Sequence, residues 1–466
     1  MLVCSDLSPL LARNTNAAMV RQALDAEGID NFCVRGRSQS SAVVAVAEKH
    51  RGEAHRALAG MCGAVPGYVS VEDRRSPGRR ATGPGFARAE WRAAAKSDVI
   101  RVSWYYSDPT GQLILGPKYG CDVEFWSPDG EMLVAPRPNR MADRVPLADA
   151  PVSVSDSVFT GLASPEHPLP PVCTRREFTL PGPADVRFPV DAVYTWVDGS
   201  DPEWLRHRAA CAGQAYHPES ANAARYVSRD ELRYSLRSLR QYSPWLRTIY
   251  VVTDDQVPPW LDTSAPGLRI VSHKEIFSDP SLLPTFNSHA IESQLHHIDG
   301  LSEHFLYFND DVFLGRLTAP QDFFVANGLT KLFPSPVPIP PGPPNAEEAP
   351  VAAAGKNSRA LIRATFGTTI AQKIKHTPHA LRRSVLYEIE ERFRTWTCPI
   401  PGSARDWTGS LPGGDRHVFC LNDTVSDETE REAQQELLTA FLQAYFPVPG
   451  VYEADCARVD SPDGDR

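Results

Sequence analysis

The chain of 466 residues is long enough for two or three domains, and its 42% hydrophobic and 23% charged residues are ordinary for a soluble globular protein. A formal net charge of −9 argues against nucleic acid as the main partner. Nine scattered cysteines contain no CxxC pair, so neither a zinc site nor a disulfide framework is indicated, and we expect reduced structural thiols.

Residues 1–60 predict a small α/β unit with a helix over about Ala17–Glu27, a strand in "NFCVRG" and a second helix over about Ala42–Ala59. Two β-rich segments follow, "DVIRVSWYYSDPTGQLILG" and "CDVEFWSPDGEMLVAP", each built around a Pro/Asp/Gly turn. They predict consecutive hairpins. We therefore interpret residues 1–139 as an N-terminal α+β region, followed by a proline-rich connection over 140–187.

Strands and helices alternate over residues 188–455, which predicts an α/β domain with a mostly parallel sheet. The predicted strands are "VDAVYTWVDGSD", "TIYVVTDD", "LRIVSH" and "HFLYFNDDVFLG", and the predicted helices are "DELRYSLRSLRQY", "NSHAIESQLHHI", 355–366, 379–394 and 428–445. Residues 333–350 are too rich in proline for regular structure and predict a flexible loop. We interpret residues 456–466 as a disordered tail.

Three of the predicted strands end in acidic residues, namely Asp198 and Asp201, Asp254 and Asp255, and Asp310 and Asp311. Ligands of open α/β sheets bind beyond the carboxyl ends of the strands. One acidic strand end is explained by a turn or a helix cap, whereas three at one edge predict an oxygen-rich site that suits Mg²⁺ or Mn²⁺. Asp310 and Asp311 are predicted to hold a divalent ion that bridges a diphosphate.

Histidine and arginine are dense near these acids. The segment "PTFNSHAIESQLHHI" places Asn287, His289 and Glu292 around a predicted helix start, where anions are favoured. In "KHTPHALRRS", Pro378 is placed to open a helix that carries Arg382, so His376 is a candidate base and Arg382 a candidate phosphate ligand.

Two of these assignments have structural alternatives. Arg382 and Arg383 also fit a solvated helix face that pairs with Glu388 and Glu390. Arg229 precedes the helix in "SRDELRYSLRSL", where Ser228 and Glu231 predict a capping box that requires no substrate.

The beginning of the sequence, "MLVCSDLSPLLARN", lacks the features of a signal peptide, and no apolar stretch approaches the roughly 20 residues that span a bilayer. We expect a cytoplasmic protein without a transmembrane segment, and peripheral association with a membrane stays open. No P-loop, dinucleotide-binding, zinc-protease or serine-hydrolase motif occurs at a position where the predicted elements would support its function.

Four blocks resemble the conserved blocks of the stealth family, which contains bacterial capsular and exopolysaccharide phosphotransferases and the animal N-acetylglucosamine-1-phosphotransferase. They are "DAVYTWVDGSDPEW" at 191–204, the run from "RYVSRDELRYS" to "FNDDVFLG" at 225–315, "KHTPHALRRSVLYEIEERF" at 375–393, and "CLND" with "FLQAYFPVPGVYE" at 420–453. The long second block is highly specific.

The resemblance implies a hexose-1-phosphate transfer from a UDP-sugar to a hydroxyl of an acceptor oligo- or polysaccharide, with release of UMP. It implies a core similar to the glycosyltransferase-A fold, and it fits the Mg²⁺ or Mn²⁺ cofactor that we assign to Asp310 and Asp311. His376 or His289 is the implied base or phosphate contact, and Arg382 the phosphate clamp. The implied substrate-binding residues are Asp198, Arg229, Asn287, Glu292, Asn422 and Asp423.

Two alternatives stay open. A metal-dependent glycosyltransferase uses the same donor but is attacked at the sugar carbon and releases UDP. The stretch between Phe393 and His417 departs from the third block of the family, which motivates a second alternative, a degenerate homologue that binds nucleotide sugar without turnover.

Overall fold

The computed structural model describes residues 1–72, 80–164, 169–211, 228–345, 348, 350–392, 418–420 and 428–454. The chain contains both helices and several sheets, which confirms the α/β class predicted from the sequence. The predicted tail over 456–466 and the atypical stretch between Phe393 and His417 lie outside the described residues.

The N-terminal half is built mainly of strands. They are β1 (Leu2–Val3), β2 (Asn31–Cys33), β3 (Ala42–Ala47), β4 (Tyr68–Glu72), β5 (Arg80–Pro84), β6 (Val99–Ser103), β7 (Tyr106–Ser107), β8 (Ile114–Leu115), β9 (Cys121–Asp129), β10 (Met132–Val134), β11 (Arg144–Pro146), β12 (Val152–Ser155) and β13 (Pro171–Thr174). The helices of this half are α1 (Pro9–Ala26), α2 (Arg51–Ala64) and α3 (Arg88–Ala94).

Within the described part of this half, ten strands form one sheet in the order β12-β13-β2-β3-β9-β6-β4-β5, with β10 beside β9 and β11 beside β10. Both predicted hairpins are confirmed, because β7 pairs antiparallel with β8 and β9 pairs antiparallel with β10. Helix α1 begins after Ser8, whose hydroxyl accepts the N–H of Leu11. One apolar core lies between this sheet and helices α1 and α2.

The predicted helix over Ala42–Ala59 is wrong in its first half. Ala42–Ala47 form strand β3, which lies between β2 and β9, and α2 begins only at Arg51. The alanines of "AVVAVA" favour a helix, but its β-branched valines fit a buried central strand better, and Val44 and Val46 are fully buried there.

Residues 140–187, which were predicted as a proline-rich connection, contain regular strands. Strands β11, β12 and β13 come from this segment and extend the N-terminal sheet. Pro146 and Pro171 lie at strand ends, where a missing N–H removes no essential ladder hydrogen bond. The N-terminal region therefore continues to Thr174, beyond the predicted boundary at 139.

The C-terminal half alternates strands with helices. Its strands are β14 (Val190–Thr195), β15 (Ile249–Thr253), β16 (Leu268–Ser272), β17 (His304–Asn309), β18 (Val312–Leu314), β19 (Pro334–Pro338), β20 (Gln372–Ile374), β21 (His379–Arg382) and β22 (Val418–Cys420). Its helices are α4 (Pro202–Cys211), α5 (Glu231–Tyr242), α6 (His273–Ile276), α7 (Ser288–Glu292), α8 (Pro320–Phe323), α9 (Pro350–Phe366), α10 (Arg383–Arg392) and α11 (Glu428–Tyr445).

Five described strands of this half form a sheet in the order β16-β15-β14-β17-β21. Strand β14 is parallel to β15 and to β17, β15 is parallel to β16, and β21 is antiparallel to β17. Strands β18 and β22 form a separate antiparallel pair, as do β19 and β20. Similarity to the glycosyltransferase-A fold stays a prediction.

Two predictions in this half are wrong. Residues 379–394 were predicted as one helix, but His379–Arg382 form strand β21 on the edge of β17, and α10 starts at Arg383. Pairing with an open sheet edge overrides the helical pattern here. The predicted loop over 333–350 contains strand β19, whose prolines are tolerated because a two-stranded ribbon has free edges.

Helix α5 confirms its prediction and packs on the sheet through one apolar face. The spacing of its leucines by three and four positions places them on that face. They are buried in the core that also contains residues of β14, β15 and β17: Leu232, Leu236 and Leu239.

Two buried serines of α5 contact strand β18. The hydroxyl of Ser235 lies 2.5 Å from the carbonyl oxygen of Val312, to which it donates. The hydroxyl oxygen of Ser238 accepts the N–H of Leu314 at 3.0 Å. These hydrogen bonds fix the strand that follows Asp311 against the helix.

Asp191 at the start of β14 is fully buried and joins three parts of the domain. Its carboxylate accepts two hydrogen bonds from Arg247 at 2.8 and 2.6 Å, and the N–H groups of Thr248 and Ser302 at 3.2 and 2.7 Å. Arg247 also donates to the carbonyl of Gly300. The turns before β15 and β17 are therefore held at the same end of β14.

We expect Asp191→Asn to lower the free energy of unfolding by about 3 kcal/mol, because it leaves the partly buried Arg247 without its charged partner. Urea unfolding measures this change. The matched control is Asp129→Asn, which removes the exposed ion pair with Arg144 and should cost less than about 1 kcal/mol. Equal costs for the two variants would contradict the role given to Asp191.

Candidate active site

The carboxyl ends of β14 and β17 meet at one edge of the five-stranded sheet. Six successive residue pairs align the two strands, and the last pair is Thr195 with Asn309. The chain runs from β14 outward to β15 and β16 and returns to β17 on the other side of β14. Such a reversal opens a crevice beyond the strand ends. The predicted residues Asp198, Asp310 and Asp311 follow these two ends.

Asp311 contacts the predicted base at this edge. It is 6% exposed, whereas Asp310 is half-buried. Nε2 of His376 lies 3.3 Å from Oδ1 of Asp311. Because the two residues are 65 positions apart in sequence, the fold itself brings this histidine and this carboxylate together.

Glu231 lies near Asp311, although the sequence assigned it only to a capping box and not to the site. Burial raises the pKa of Glu231, the Arg229 backbone N–H and guanidinium charge oppose the rise, and the nearby charge of Asp311 adds to it. The Arg229 N–H donates to Oε2 of Glu231 at 2.6 Å. The predicted capping box is wrong, because the residue before the helix is Asp230, with φ 62°, and Glu231 is the first helical residue.

His379 lies near two other histidines of this edge. Burial is the main cause that lowers the pKa of His379 to about 4, and the charges that His376 and His289 carry when protonated contribute to the same shift. His379 is therefore neutral near pH 7. It was not a predicted site residue, although its place in "KHTPH" three positions after His376 was the available signal.

Tyr307 organises the strand ends through its hydroxyl. The buried side chain donates to Oε1 of Glu292 at 3.0 Å and lies 2.9 Å from the hydroxyl of Thr195. The side-chain amide of Asn309 donates to the hydroxyl oxygen of Tyr307 at 3.3 Å. This network fixes the predicted residue Glu292 at the carboxyl edge of β14 and β17.

Two other predicted residues shape local turns. The side chain of Asn287 caps α7 by accepting the N–H of His289 at 3.0 Å. Asp198 accepts the N–H and the hydroxyl of Ser200 at 2.9 and 2.6 Å. Asn422 and Asp423, which were also predicted to bind substrate, lie outside the described residues.

The third acidic strand end is engaged elsewhere. Asp255 follows β15 and accepts Nζ of Lys274 and the hydroxyl of Ser272, each at 2.5 Å. Asp254 lies 3.8 Å from Nδ1 of His273. These acids therefore interact with the end of β16 and the beginning of α6.

The prediction that Arg382 clamps phosphate beside His376 is wrong. Arg382 pairs with His304 in the β17–β21 ladder, at the opposite end of β17 from Asp310. Six residues of extended strand separate the two ends by about 20 Å. The guanidinium of Arg382 instead forms an ion pair with Glu303, with Nε 3.0 Å from Oε1.

The half-buried Glu231 and the buried Asp311 are close enough for the charge of Asp311 to raise the pKa of Glu231. Two like charges in such a place are unfavourable without a counter-charge. Mg²⁺ and Mn²⁺ prefer oxygen ligands of this kind. A Mg²⁺ or Mn²⁺ ion at Asp310 and Asp311 stays a prediction.

Comparison with known proteins identifies the family. Models of the Stealth protein conserved regions 1, 2 and 4 match residues 188–216, 225–332 and 414–461. An exopolysaccharide phosphotransferase of Streptomyces coelicolor is 48% identical, over 96% of this chain and 85% of its own length. The chain belongs to the Stealth family.

Further Stealth relatives cover nearly the whole chain. A second exopolysaccharide phosphotransferase of Streptomyces coelicolor is 46% identical over 97% of this chain and 84% of its own length. The exopolysaccharide phosphotransferase CpsY of Mycobacterium tuberculosis is 32% identical over 98% and 92%. Stealth region 2 contains Glu231, Glu292, Asp310 and Asp311, and the assignment of residues 375–393 to the third block stays a prediction.

Among the residues that the structure describes, no helix combines the length and the apolar character needed to cross a bilayer.

Arg382→Ala should lower the free energy of unfolding by less than about 1 kcal/mol, because its ion pair is partly exposed. Any stabilisation that the predicted ligands UDP and Mn²⁺ give the wild-type protein should be unchanged in this variant, because Arg382 is distant from the crevice. Arg229→Ala is the matched comparison. Arg229 is buried beside Glu231, so its replacement by alanine should reduce that stabilisation. Thermal unfolding with and without the ligands measures both. Loss of the ligand effect in Arg382→Ala would restore the original assignment.

Acid should destabilise the protein through His379. Its folded pKa of about 4 lies below the ordinary value of 6.5, so the unfolded chain binds an additional proton between these pH values. The free energy of unfolding should therefore fall as the pH falls through this window, with a contribution of up to about 1.4 kcal/mol per pH unit. His379→Gln should flatten the dependence measured by urea unfolding at several pH values. An unchanged slope would show that His379 is not held neutral by the fold.

Proposed function

We propose that the protein transfers a hexose 1-phosphate from a UDP-sugar to a hydroxyl group of an acceptor oligo- or polysaccharide and releases UMP. Its Stealth relatives are named exopolysaccharide phosphotransferases, which supports transfer of a phosphorus-containing group. The observation that carries the proposal is the 3.3 Å contact of His376 with Asp311 in the crevice beyond β14 and β17.

The donor diphosphate lies beside the acidic residues in this proposal. Asp310, Asp311 and Glu231 are the residues that would hold Mg²⁺ or Mn²⁺. When bound, such an ion would supply positive charge that stabilises the phosphate oxygens of the donor. The half-buried Glu292, fixed by Tyr307, faces the same strand edge and is suited to accept hydrogen bonds from sugar hydroxyls.

His376 removes the proton of the attacking hydroxyl. When its Nε2–H donates to Asp311, the bare Nδ1 is the atom that accepts this proton. The hydroxyl oxygen then bonds to the β-phosphorus, and the bond between that phosphorus and the bridging oxygen of UMP breaks. Asp311 thus has two tasks, since it orients the base as well as contributing negative charge to the cation site.

The deciding experiment is incubation of the full chain with a panel of UDP-sugars, an oligosaccharide acceptor and Mg²⁺ or Mn²⁺, followed by mass analysis of nucleotides and products. UMP together with a phosphodiester-linked product supports the proposal. UDP would identify a glycosyltransferase that is attacked at the sugar carbon. Thermal stabilisation by UDP-sugar without release of any nucleotide would identify a non-catalytic homologue.

Variants test the residues in the same assay. Asp311→Asn should lower turnover by about 10²-fold or more, because the amide keeps the size but loses the charge. His376→Ala should lower it by roughly 10²- to 10⁴-fold while UDP-sugar still stabilises the protein. Asp262→Asn changes an exposed turn and is the matched control. Wild-type turnover in excess chelator would contradict the metal requirement.

A further inference from the structure

Two histidines and a glutamate converge at the opposite end of β17 from the crevice. His296 and His297 end a short 3-10 turn over Leu295–His297, and Glu390 lies in α10. Nε2 of His296 lies 2.9 Å from Oε2 of Glu390, and Nε2 of His297 lies 3.0 Å from the same oxygen. One potential ligand atom from each residue lies within 4.8 Å of the other two.

The spacing of these atoms suits a tetrahedral ion. Zinc bonds to histidine nitrogen and carboxylate oxygen at about 2.0–2.1 Å, which places neighbouring ligand atoms of a tetrahedron about 3.3 Å apart. The observed nitrogen–oxygen separations of 2.9 and 3.0 Å need to widen by only a few tenths of an ångström. Small side-chain rotations of the half-buried His297 and Glu390 provide this.

We propose that His296, His297 and Glu390 form a binding site for a borderline transition-metal cation of the Zn²⁺ class, with a water as the fourth ligand. Imidazole nitrogen favours Zn²⁺ over Mg²⁺, whereas the carboxylates of the crevice favour Mg²⁺ or Mn²⁺. The two sites therefore select different ions, and they lie at opposite ends of β17.

The metal links α10 to the turn that precedes β17. Helix α10 follows β21 directly, and Arg383 at its start already donates to the carbonyl of His296 at 2.7 Å. The ring of Tyr387 lies against His296 and His297, with centroids 4.5 and 5.4 Å away, and covers one side of the site. The bound ion stabilises the segment that supplies His379 to the crevice.

One contact common in zinc sites is missing among the described residues. Ligation through Nε2 of His296 leaves its proton on Nδ1, and that buried atom has no hydrogen-bond partner there. Histidine ligands usually donate this second N–H to a carboxylate, a carbonyl or a water. We therefore expect micromolar rather than nanomolar affinity.

The test uses the full chain after removal of bound metal with a chelator. Zn²⁺ is titrated by calorimetry, and Co²⁺ replaces it for visible absorption, because a tetrahedral site with nitrogen ligands absorbs strongly and an octahedral oxygen site absorbs weakly. We expect one Zn²⁺ per chain, a higher melting temperature with Zn²⁺, and the strong Co²⁺ spectrum.

Variants assign the site. His297→Asn and Glu390→Gln should each weaken Zn²⁺ binding by at least about tenfold. Asp311→Asn should not change it, and neither should Glu53→Gln, which alters the exposed pair of His50 with Glu53 that offers only two ligands. The proposal is overturned when wild-type protein binds no Zn²⁺ or lacks the strong Co²⁺ spectrum, or when His297→Asn and Glu390→Gln bind as tightly as wild type.

Discussion

The in-register parallel pairing of β14 with β17 is the constraint on which the candidate site depends. Because the two strands end at the same level, with Thr195 opposite Asn309, the segments that follow them leave the sheet side by side. At the other end, the buried carboxylate of Asp191 holds the turns that precede β15 and β17. A shift of one residue in this register would turn every side chain of β17 to the other face and separate Asp311 from its neighbours.

Strand β21 pairs with the edge of β17 and carries His379. Its antiparallel pairing places His379 opposite Tyr307, near the carboxyl end of β17, and carries the chain away from the crevice towards α10. The same four residues therefore connect the candidate active site with the cluster of His296 and Glu390. A change that loosens the pairing of β21 would disturb both ends of β17 together.

Much of the site was predictable because strand ends are signalled locally. A run of aromatic and leucine residues, Phe305–Phe308, that stops just before Asp310 and Asp311 indicates the position of the carboxylates, and the strand-helix alternation indicates the α/β class. The roles of Arg382 and Glu231 were not predictable in this way. Whether residues 379–382 extend the helix or join a sheet depends on an open edge of β17. The raised pKa of Glu231 depends in part on the charge of Asp311, which lies in another part of the chain.

Two serines of α5, Ser235 and Ser238, restrict the substitutions that this helix can tolerate. Ser235 and Ser238 contact β18 through single hydroxyl groups, so the gap between helix and strand is only as wide as those side chains allow. A larger residue at either position would push the helix outward, and alanine would leave a strand N–H or carbonyl without its partner. Since Glu231 begins the same helix, the position of this carboxylate depends on two small buried residues of that helix.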